Sequence, residues 1–220
     1  RGIGEDRQML NILYIGPNES DWAQDHCPGS LAAAKWSRGF QTALSKVCKL
    51  VTLSPTYMYP WPKGKKLWVG YDSRYYPEEW ECVSVQYPAV RGLREWWWKK
   101  AYAAKAKKIM RERHIDAVLI YNCYESWQVP VLKEIKRANP EVKIFPIILD
   151  GDDPRKDDWG WMRKAAEVSD GFILGAFGTE HGGQEYEIVG VIACDFLDFP
   201  PCGNTYTTLG DLSNQLAGAL

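Results

Sequence analysis

Short apolar segments alternate with amphipathic segments along most of the chain. Runs in which nearly every residue is apolar predict strands buried on both faces, and they lie at residues 9–15, 50–53, 117–122, 142–149, 171–177 and 188–193. Apolar residues at helical spacing predict helices at 30–47, 91–114, 129–138 and 159–168. This alternation predicts an α/β fold, a doubly wound, Rossmann-like parallel sheet with helices on both sides.

Residues 57–88 interrupt this alternation with Tyr, Trp and Pro and with two brief extended runs, 66–70 and 81–87. We therefore expect an irregular, aromatic-rich insertion whose rings either stack on sugar rings or only pack a long loop. The predicted domain covers residues 1–198. Residues 199–220 begin with a Pro-Pro pair and are expected to be a linker or the start of a second domain.

The overall charge favours no polyanionic partner. Lys and Arg total 27 against 28 for Asp and Glu, so the net charge is −1 and creates no long-range field that would gather nucleic acid. The sequence contains no apolar run of about 18 residues and no apolar signal-peptide core. These features predict a cytoplasmic protein that does not bind nucleic acid.

One segment departs from this neutral balance. Residues 91–113 hold nine basic and two acidic residues. A weak contact with a membrane surface would use such a charge. A helix half buried on the sheet, with lysine stems covering tryptophan rings, is the favoured interpretation because the apolar positions form no single stripe.

The cysteines and histidines form no metal-binding pattern. Six cysteines are scattered without a C-x-x-C pair, and the three histidines lie in different segments. We expect reduced thiols and no zinc or histidine-bound metal.

Ligands of open parallel sheets bind at the carboxyl ends of the strands, above all where the strand order reverses. The candidate ligand-binding residues are therefore those that follow predicted strands: Gly16, Asn18, Asn122, Tyr124, Glu125, Asp150, Asp152, Asp153 and His181. None of them can be assigned a catalytic role from the sequence.

The acidic turn is the clearest of these signals. Asp150, Asp152 and Asp153 follow one strand within four residues and repel one another, so they need a cation, sugar hydroxyls or a helix N-terminus as partners. Alternatively, Asp152 or Asp153 only caps the next helix. The first strand is followed by Gly-Pro-Asn in place of G-x-G-x-x-G, which disfavours NAD and FAD.

The segment 146–176 resembles the amino-terminal domain of retaining glycosyltransferases of the GT-B fold, of the family-four-like type. In that family a strand often ends in an acidic turn, and the next helix leads into an "a-D-g-f-i" segment, matched here at 166–173. Residues 11–17, 35–44 and 114–122 are similar in order and spacing. Residues 191–201 resemble the passage into the second domain of that fold.

This resemblance implies the acceptor-side domain of a glycosyltransferase, which works with a carboxyl-terminal domain. It implies a nucleotide sugar as donor substrate, a glycan or other acceptor, and no cofactor. Two alternatives stay open. Asp150-x-Asp152 also matches the D-x-D of metal-dependent GT-A enzymes. A non-catalytic Rossmann-like module that binds a glycan or a partner is the third interpretation.

Overall fold

The structure is a computed structural model that describes residues 9–26, 30–123, 125–148, 164–177 and 186–193. Its strands are β1 (Asn11–Ile15), β2 (Lys49–Pro55), β3 (Trp68–Val69), β4 (Glu81–Val85), β5 (Tyr87–Pro88), β6 (Ala117–Tyr121), β7 (Lys143–Ile148), β8 (Gly171–Phe177) and β9 (Tyr186–Ala193). Its helices are α1 (Asp21–His26), α2 (Leu31–Leu44), α3 (Leu93–Glu112) and α4 (Gln128–Ala138), and Ser73–Tyr75 form a 3-10 turn.

The main sheet of the described chain has seven strands in the order β4-β2-β1-β6-β7-β8-β9. The first six are mutually parallel, and β9 pairs antiparallel with β8. The central register places Tyr14 of β1 between Thr52 of β2 and Leu119 of β6. The predicted α/β, Rossmann-like fold is confirmed.

The strands are apolar on both faces because helices cover both faces. Since successive strand residues point to opposite sides, Ile12 and Tyr14 of β1 pack with α2, where Trp36 and Phe40 lie. Leu13 and Ile15 of β1 belong to the opposite core, which also holds the buried side chains of α3 and α4. The apolar runs in the sequence therefore reflect the burial of both faces of these strands.

Local signals set the helix ends. Ser30 caps α2, where its Oγ accepts a hydrogen bond from the Ala33 N–H at 3.3 Å. Helix α3 starts after Gly92, whose φ of 81° lies in the left-handed region that glycine adopts without strain. Of the predicted helix at 159–168, the structure describes residues 164–168, of which 164–166 are helical and 167–168 form a turn.

Two features of the sheet differ from the sequence-based expectation. The last strand runs antiparallel because residues 178–185, the segment between β8 and β9, are too few for the crossover of a dozen or more residues that a parallel pair needs. The insertion is also less irregular than predicted, because β4 joins the main sheet beside β2 and β3 pairs with β5 in a two-stranded sheet. Helix α1 was not predicted.

Three of the cysteines lie in the described residues, and all three are free thiols: Cys48, Cys82 and Cys123. Burial raises the pKa of each to about 12, so none of them is a ready nucleophile near neutral pH. Cys27, Cys194 and Cys202 lie outside the described residues. In the described part of the chain, no helix is long and apolar enough to cross a membrane.

Candidate functional site

A cleft of about 180 Å³ opens at the carboxyl edge of the sheet between β1 and β6. This is where the strand order reverses, since β2 lies on the other side of β1 and β7 on the other side of β6. We call it the switch-point cleft. It is lined by Gly16, Pro17, Glu19, Ser30, Ala33, Tyr57, Tyr102, Tyr121, Asn122, Glu125, Trp127 and Gln128.

A buried polar network holds the loop after β1 in place. The Pro17 carbonyl accepts hydrogen bonds from Ser37 Oγ at 2.6 Å and from Gln41 Nε2 at 3.0 Å, both from α2. The Tyr14 hydroxyl lies 2.6 Å from Ser37 Oγ, and Thr52 Oγ1 donates to Gln41 Oε1. All four of these side chains are fully buried. The network therefore fixes one wall of the cleft on rigid elements.

The loop after β6 is fixed by its own short-range hydrogen bonds. Asn122 has a φ of 39°, a left-handed conformation that asparagine tolerates better than most residues. The Glu125 N–H donates to Gln128 Oε1 at 2.7 Å, and the Gln128 N–H donates back to the Glu125 carbonyl at 3.0 Å. Trp127 Nε1 donates to Glu125 Oε2. This arrangement is similar to a capping box and orients the Glu125 carboxylate.

The cleft is acidic. Glu19 and Glu125 are its two ionisable carboxyl groups, and no Lys, Arg or His is among the described residues that line it. Glu19 is 4% exposed, and its Oε2 atom has no hydrogen-bond partner in the described structure. The cleft therefore offers a buried acceptor that a bound hydrogen-bond donor could satisfy.

Burial and the nearby carboxyl groups raise the pKa of two tyrosines that line the cleft. Burial raises the pKa of Tyr57 well above its ordinary value, and Glu125 and Glu19 raise it further. Burial also raises the pKa of Tyr102, with Tyr57 and Glu125 as the next causes. Both phenols remain protonated near neutral pH, so they can donate a hydrogen bond as well as accept one.

Glu19 is expected to weaken the fold at neutral pH. Burial raises its pKa, which the neighbouring Tyr75 hydroxyl and a backbone N–H lower only in part. The folded protein therefore holds the Glu19 proton more tightly than the unfolded chain does. Below a pH of about 4.3 this carboxyl group is protonated in both states and costs no stability. As the pH rises through the pKa of the folded state, the group costs stability. Glu19→Gln should therefore melt at a higher temperature than the wild type near neutral pH, with the difference shrinking in acid.

Thermal unfolding across this pH range checks the expectation, with Glu141→Gln as the control. Glu141 is exposed in the turn before β7, at the amino edge of the sheet, so its replacement should leave the pH profile unchanged. A Glu19→Gln protein that is less stable than the wild type at every pH would show that native contacts favour the Glu19 carboxylate.

The structure brings together three of the residues that the sequence singled out, since Gly16, Asn122 and Glu125 all line the cleft. Asn18 does not line it. Its side chain is fully buried, and Nδ2 donates to Cys82 Sγ of β4 at 2.9 Å. Tyr124, Asp150, Asp152, Asp153 and His181 lie outside the described residues.

Nine of the twelve residues that line the cleft were not among the predicted site residues, and four of these nine supply its further carboxyl group and most of its ring surface: Glu19, Tyr57, Tyr102 and Trp127. Tyr102 comes from the middle of α3 and stacks on Trp127 with 4.2 Å between ring centroids. An aromatic residue on a buried helix face is an ordinary core residue in a sequence, so nothing in the pattern distinguishes Tyr102 from its neighbours. Glu19 is an acidic residue in a polar stretch, which usually indicates a solvated loop.

A larger groove of about 630 Å³ lies next to the cleft, along α4, and shares Glu125 with it. Its basic side chains include Lys133, which pairs with Glu167 at 3.1 Å, and Arg137, which pairs with Glu134 at 2.6 Å. Two of the four basic side chains that line the groove are therefore already in ion pairs.

The fold and the cleft define an α/β protein with a mostly parallel, Rossmann-like sheet and a cleft at its switch point. No family model and no curated protein matches the sequence. Among solved structures, the chain is similar to the DNA/pantothenate metabolism flavoprotein from Streptococcus pneumoniae, with 10% identity and a TM-score of 0.45 over 96% of this chain and 97% of that chain.

The expectation that the chain takes no cofactor is contradicted by this comparison, because the similar protein is a flavoprotein. We therefore withdraw it. The expectation rested in part on the missing G-x-G-x-x-G turn after β1. That motif marks only one way of binding a nucleotide, and doubly wound folds also hold FMN at a switch point without it.

Proposed function

We propose that the chain is the acceptor-side half of a GT-B type glycosyltransferase and that it binds a hydroxylated acceptor in the switch-point cleft. The sequence resemblance supports this proposal through residues 11–17, 114–122 and 146–176. The position of the cleft also supports it, because Rossmann-like domains bind their ligands at this edge of the sheet.

The observation that carries the proposal is the pair of carboxyl groups, Glu19 and Glu125, in a cleft whose described lining has no basic side chain. Sugar hydroxyl groups are neutral donors, and they can donate hydrogen bonds to carboxyl groups without bringing a charge into the cleft. A phosphate group would meet repulsion from both carboxylates. The donor's phosphates are therefore assigned to a different surface from this cleft.

Each wall has a role in this proposal. Trp127 holds Glu125 in position to accept a hydrogen bond from the acceptor. Tyr57 and Tyr102 supply apolar ring surface together with hydroxyl groups, which is the combination that amphipathic sugars require. Gly16 lets the β1 loop pass close to β6 at the base of the cleft, since a Cβ atom at this position would lie 2.6 Å from Tyr121 Cβ.

Binding measurements on Glu125→Gln test this proposal. Saturation-transfer NMR and isothermal titration calorimetry would compare simple sugars, short glycans and nucleotide sugars, with and without Mn²⁺. Loss of one hydrogen bond to a carboxylate should weaken glycan binding by about 0.5–1.5 kcal/mol, roughly two- to twelvefold. The matched control is Glu141→Gln, which replaces an exposed glutamate at the amino edge of the sheet and should bind like the wild type.

The outcomes separate the alternatives. Metal-independent glycan binding that falls in Glu125→Gln supports the acceptor-side proposal. Nucleotide-sugar binding that strictly requires Mn²⁺ would contradict it in favour of a GT-A type enzyme. If no sugar binds, or if Glu125→Gln and Glu141→Gln behave alike, the cleft is not an acceptor site and the interpretation as a non-catalytic binding module is favoured.

A further inference from the structure

The exposed large apolar side chains of this protein are concentrated on one surface. Nine such residues are exposed in the described chain, and seven of them lie between residues 59 and 96. All seven come from the insertion and the first turn of α3. Tyr71 stacks on Tyr76, and the other six, with their neighbouring basic residues, are called the aromatic-basic patch: Tyr59, Trp61, Leu67, Trp68, Leu93 and Trp96.

Backbone and ring contacts make this patch continuous. The Trp61 N–H donates to the Ala89 carbonyl at 2.7 Å, and the Ala89 N–H donates to the Leu67 carbonyl at 2.8 Å. Trp68 meets Trp97 of α3 edge to face with 5.2 Å between centroids. The insertion is thus held together by these backbone hydrogen bonds and packs against the first turn of α3 through Trp68, so the segments that carry the exposed side chains are neighbours.

Basic residues are interleaved with these apolar side chains. Residues 59–68 and 91–100 together contain seven basic residues and one acidic residue, whereas the whole chain has a net charge of −1. Lys63 Nζ lies 3.7 Å from the centroid of the Tyr59 ring, and Lys100 Nζ lies 4.0 Å from that of Trp96. The positive charge of the chain is therefore concentrated where its apolar surface is exposed.

We propose that this patch docks the protein on the surface of an anionic lipid bilayer. Trp and Tyr favour the boundary between lipid headgroups and acyl chains, and Lys and Arg next to them pair with anionic headgroups. The proposal uses none of the residues that line the switch-point cleft, so it does not depend on the proposed function.

Two features favour a bilayer over a macromolecular partner. Lysine is depleted in the cores of protein interfaces, yet Lys63 and Lys100 lie directly on the rings of the patch. Leu67 and Leu93 are 59% and 45% exposed. Aliphatic side chains of this kind enter the acyl boundary, whereas they cannot stack on nucleic-acid bases as aromatic rings do.

The structure also explains why helix α3 by itself is poorly suited to bind a membrane surface. Trp98, Tyr102, Ala106 and Ile109 are buried in the core, so the apolar side of the helix is used by the fold. Only its first turn projects Leu93 and Trp96 outward. The sequence predicted a weak membrane contact through residues 91–113. In this proposal the first turn of α3 and the insertion make that contact together.

Vesicle flotation tests this proposal. The protein should float with phosphatidylcholine vesicles that contain phosphatidylserine, less with phosphatidylcholine alone, and less again as salt increases. The charge variant Lys63→Gln/Lys65→Gln/Lys66→Gln should lose roughly fivefold in affinity per lysine that reaches the surface. The aromatic variant Trp61→Ser/Trp96→Ser should weaken binding to both kinds of vesicle.

The matched control changes an exposed lysine and an exposed apolar residue elsewhere, Lys46→Gln/Val47→Ser, in the turn before β2 at the amino edge of the sheet. It should bind vesicles like the wild type, and circular dichroism melting should show all variants folded. The proposal is overturned if the wild type does not float with anionic vesicles, or if the control loses as much binding as the patch variants. Binding of a single-stranded RNA oligomer through the same residues, without vesicle binding, would also overturn it.

Discussion

Replacing Trp98 with alanine is expected to lower the free energy of unfolding by about 3–5 kcal/mol, the range for large aromatic residues deleted from a packed core. Trp98 is 1% exposed and contacts four aromatic rings edge to face, with centroids 5.7 Å from Tyr57, 5.1 Å from Tyr87, 6.4 Å from Tyr102 and 5.8 Å from Trp127. Removing the indole leaves a cavity under the cleft that these fixed rings cannot fill. Urea unfolding followed by circular dichroism measures the loss.

Trp96→Ala is the matched control, because this residue lies on the same helix and is 52% exposed. Its expected change is within about 0.5 kcal/mol, as for other surface substitutions. Equal losses of unfolding free energy in the two variants would contradict the conclusion that Trp98 is packed in the core while Trp96 is exposed. The cleft should also suffer in Trp98→Ala, because Tyr57 and Trp127 contact both the indole and the cleft.

The second large effect is expected at Gly16. A Cβ atom at this position would lie 2.6 Å from Tyr121 Cβ on β6 and 2.9 Å from the Tyr14 ring on β1. Neither atom is the far end of a flexible side chain, so Gly16→Ala must push the two strands apart or shift the ring. We expect a destabilisation on the order of 1–3 kcal/mol and weaker ligand binding in the cleft, as measured by urea unfolding and calorimetry.

Gly39→Ala provides the control with the same chemical change. Gly39 lies within α2, and a Cβ built there meets nothing within 4 Å. Because alanine favours helices over glycine, this variant should gain roughly 0.5–1 kcal/mol. If Gly16→Ala were as stable as the wild type, the close approach of β1 and β6 would not be a constraint on the cleft.

Glu19 illustrates how a buried residue of the cleft can cost stability. Burial raises the pKa of Glu19, so ionising this buried carboxyl group is expected to cost stability. Such groups persist where function requires them, and sites of this kind often trade stability for activity. The pH dependence of stability in Glu19→Gln and the glycan affinity of Glu125→Gln therefore test the same cleft through two different carboxyl groups.

The sequence by itself determined the layered α/β fold and the order of its main elements. Apolar runs predicted β1, β2, β6, β7 and β8 within a few residues, because strands covered by helices on both sides are mostly apolar. Ser30 predicted the start of α2, since the capping hydrogen bond is made within three residues of chain. The strand-end rule also placed Gly16, Asn122 and Glu125 at one edge, where the cleft lies.

Only the tertiary structure decided how distant segments complete the cleft and the sheet. Glu19, Tyr57 and Tyr102 reach the cleft from three separate segments, and the role of each depends on burial that a local pattern cannot report. Strand β4 is an edge strand of mixed polarity inside an aromatic-rich insertion, so its sequence lacks the continuous apolar run of a central strand. Pairing partners and burial are properties of the assembled sheet, and for this reason spacing along the chain predicts the strands but not the full set of side chains that meet at their ends.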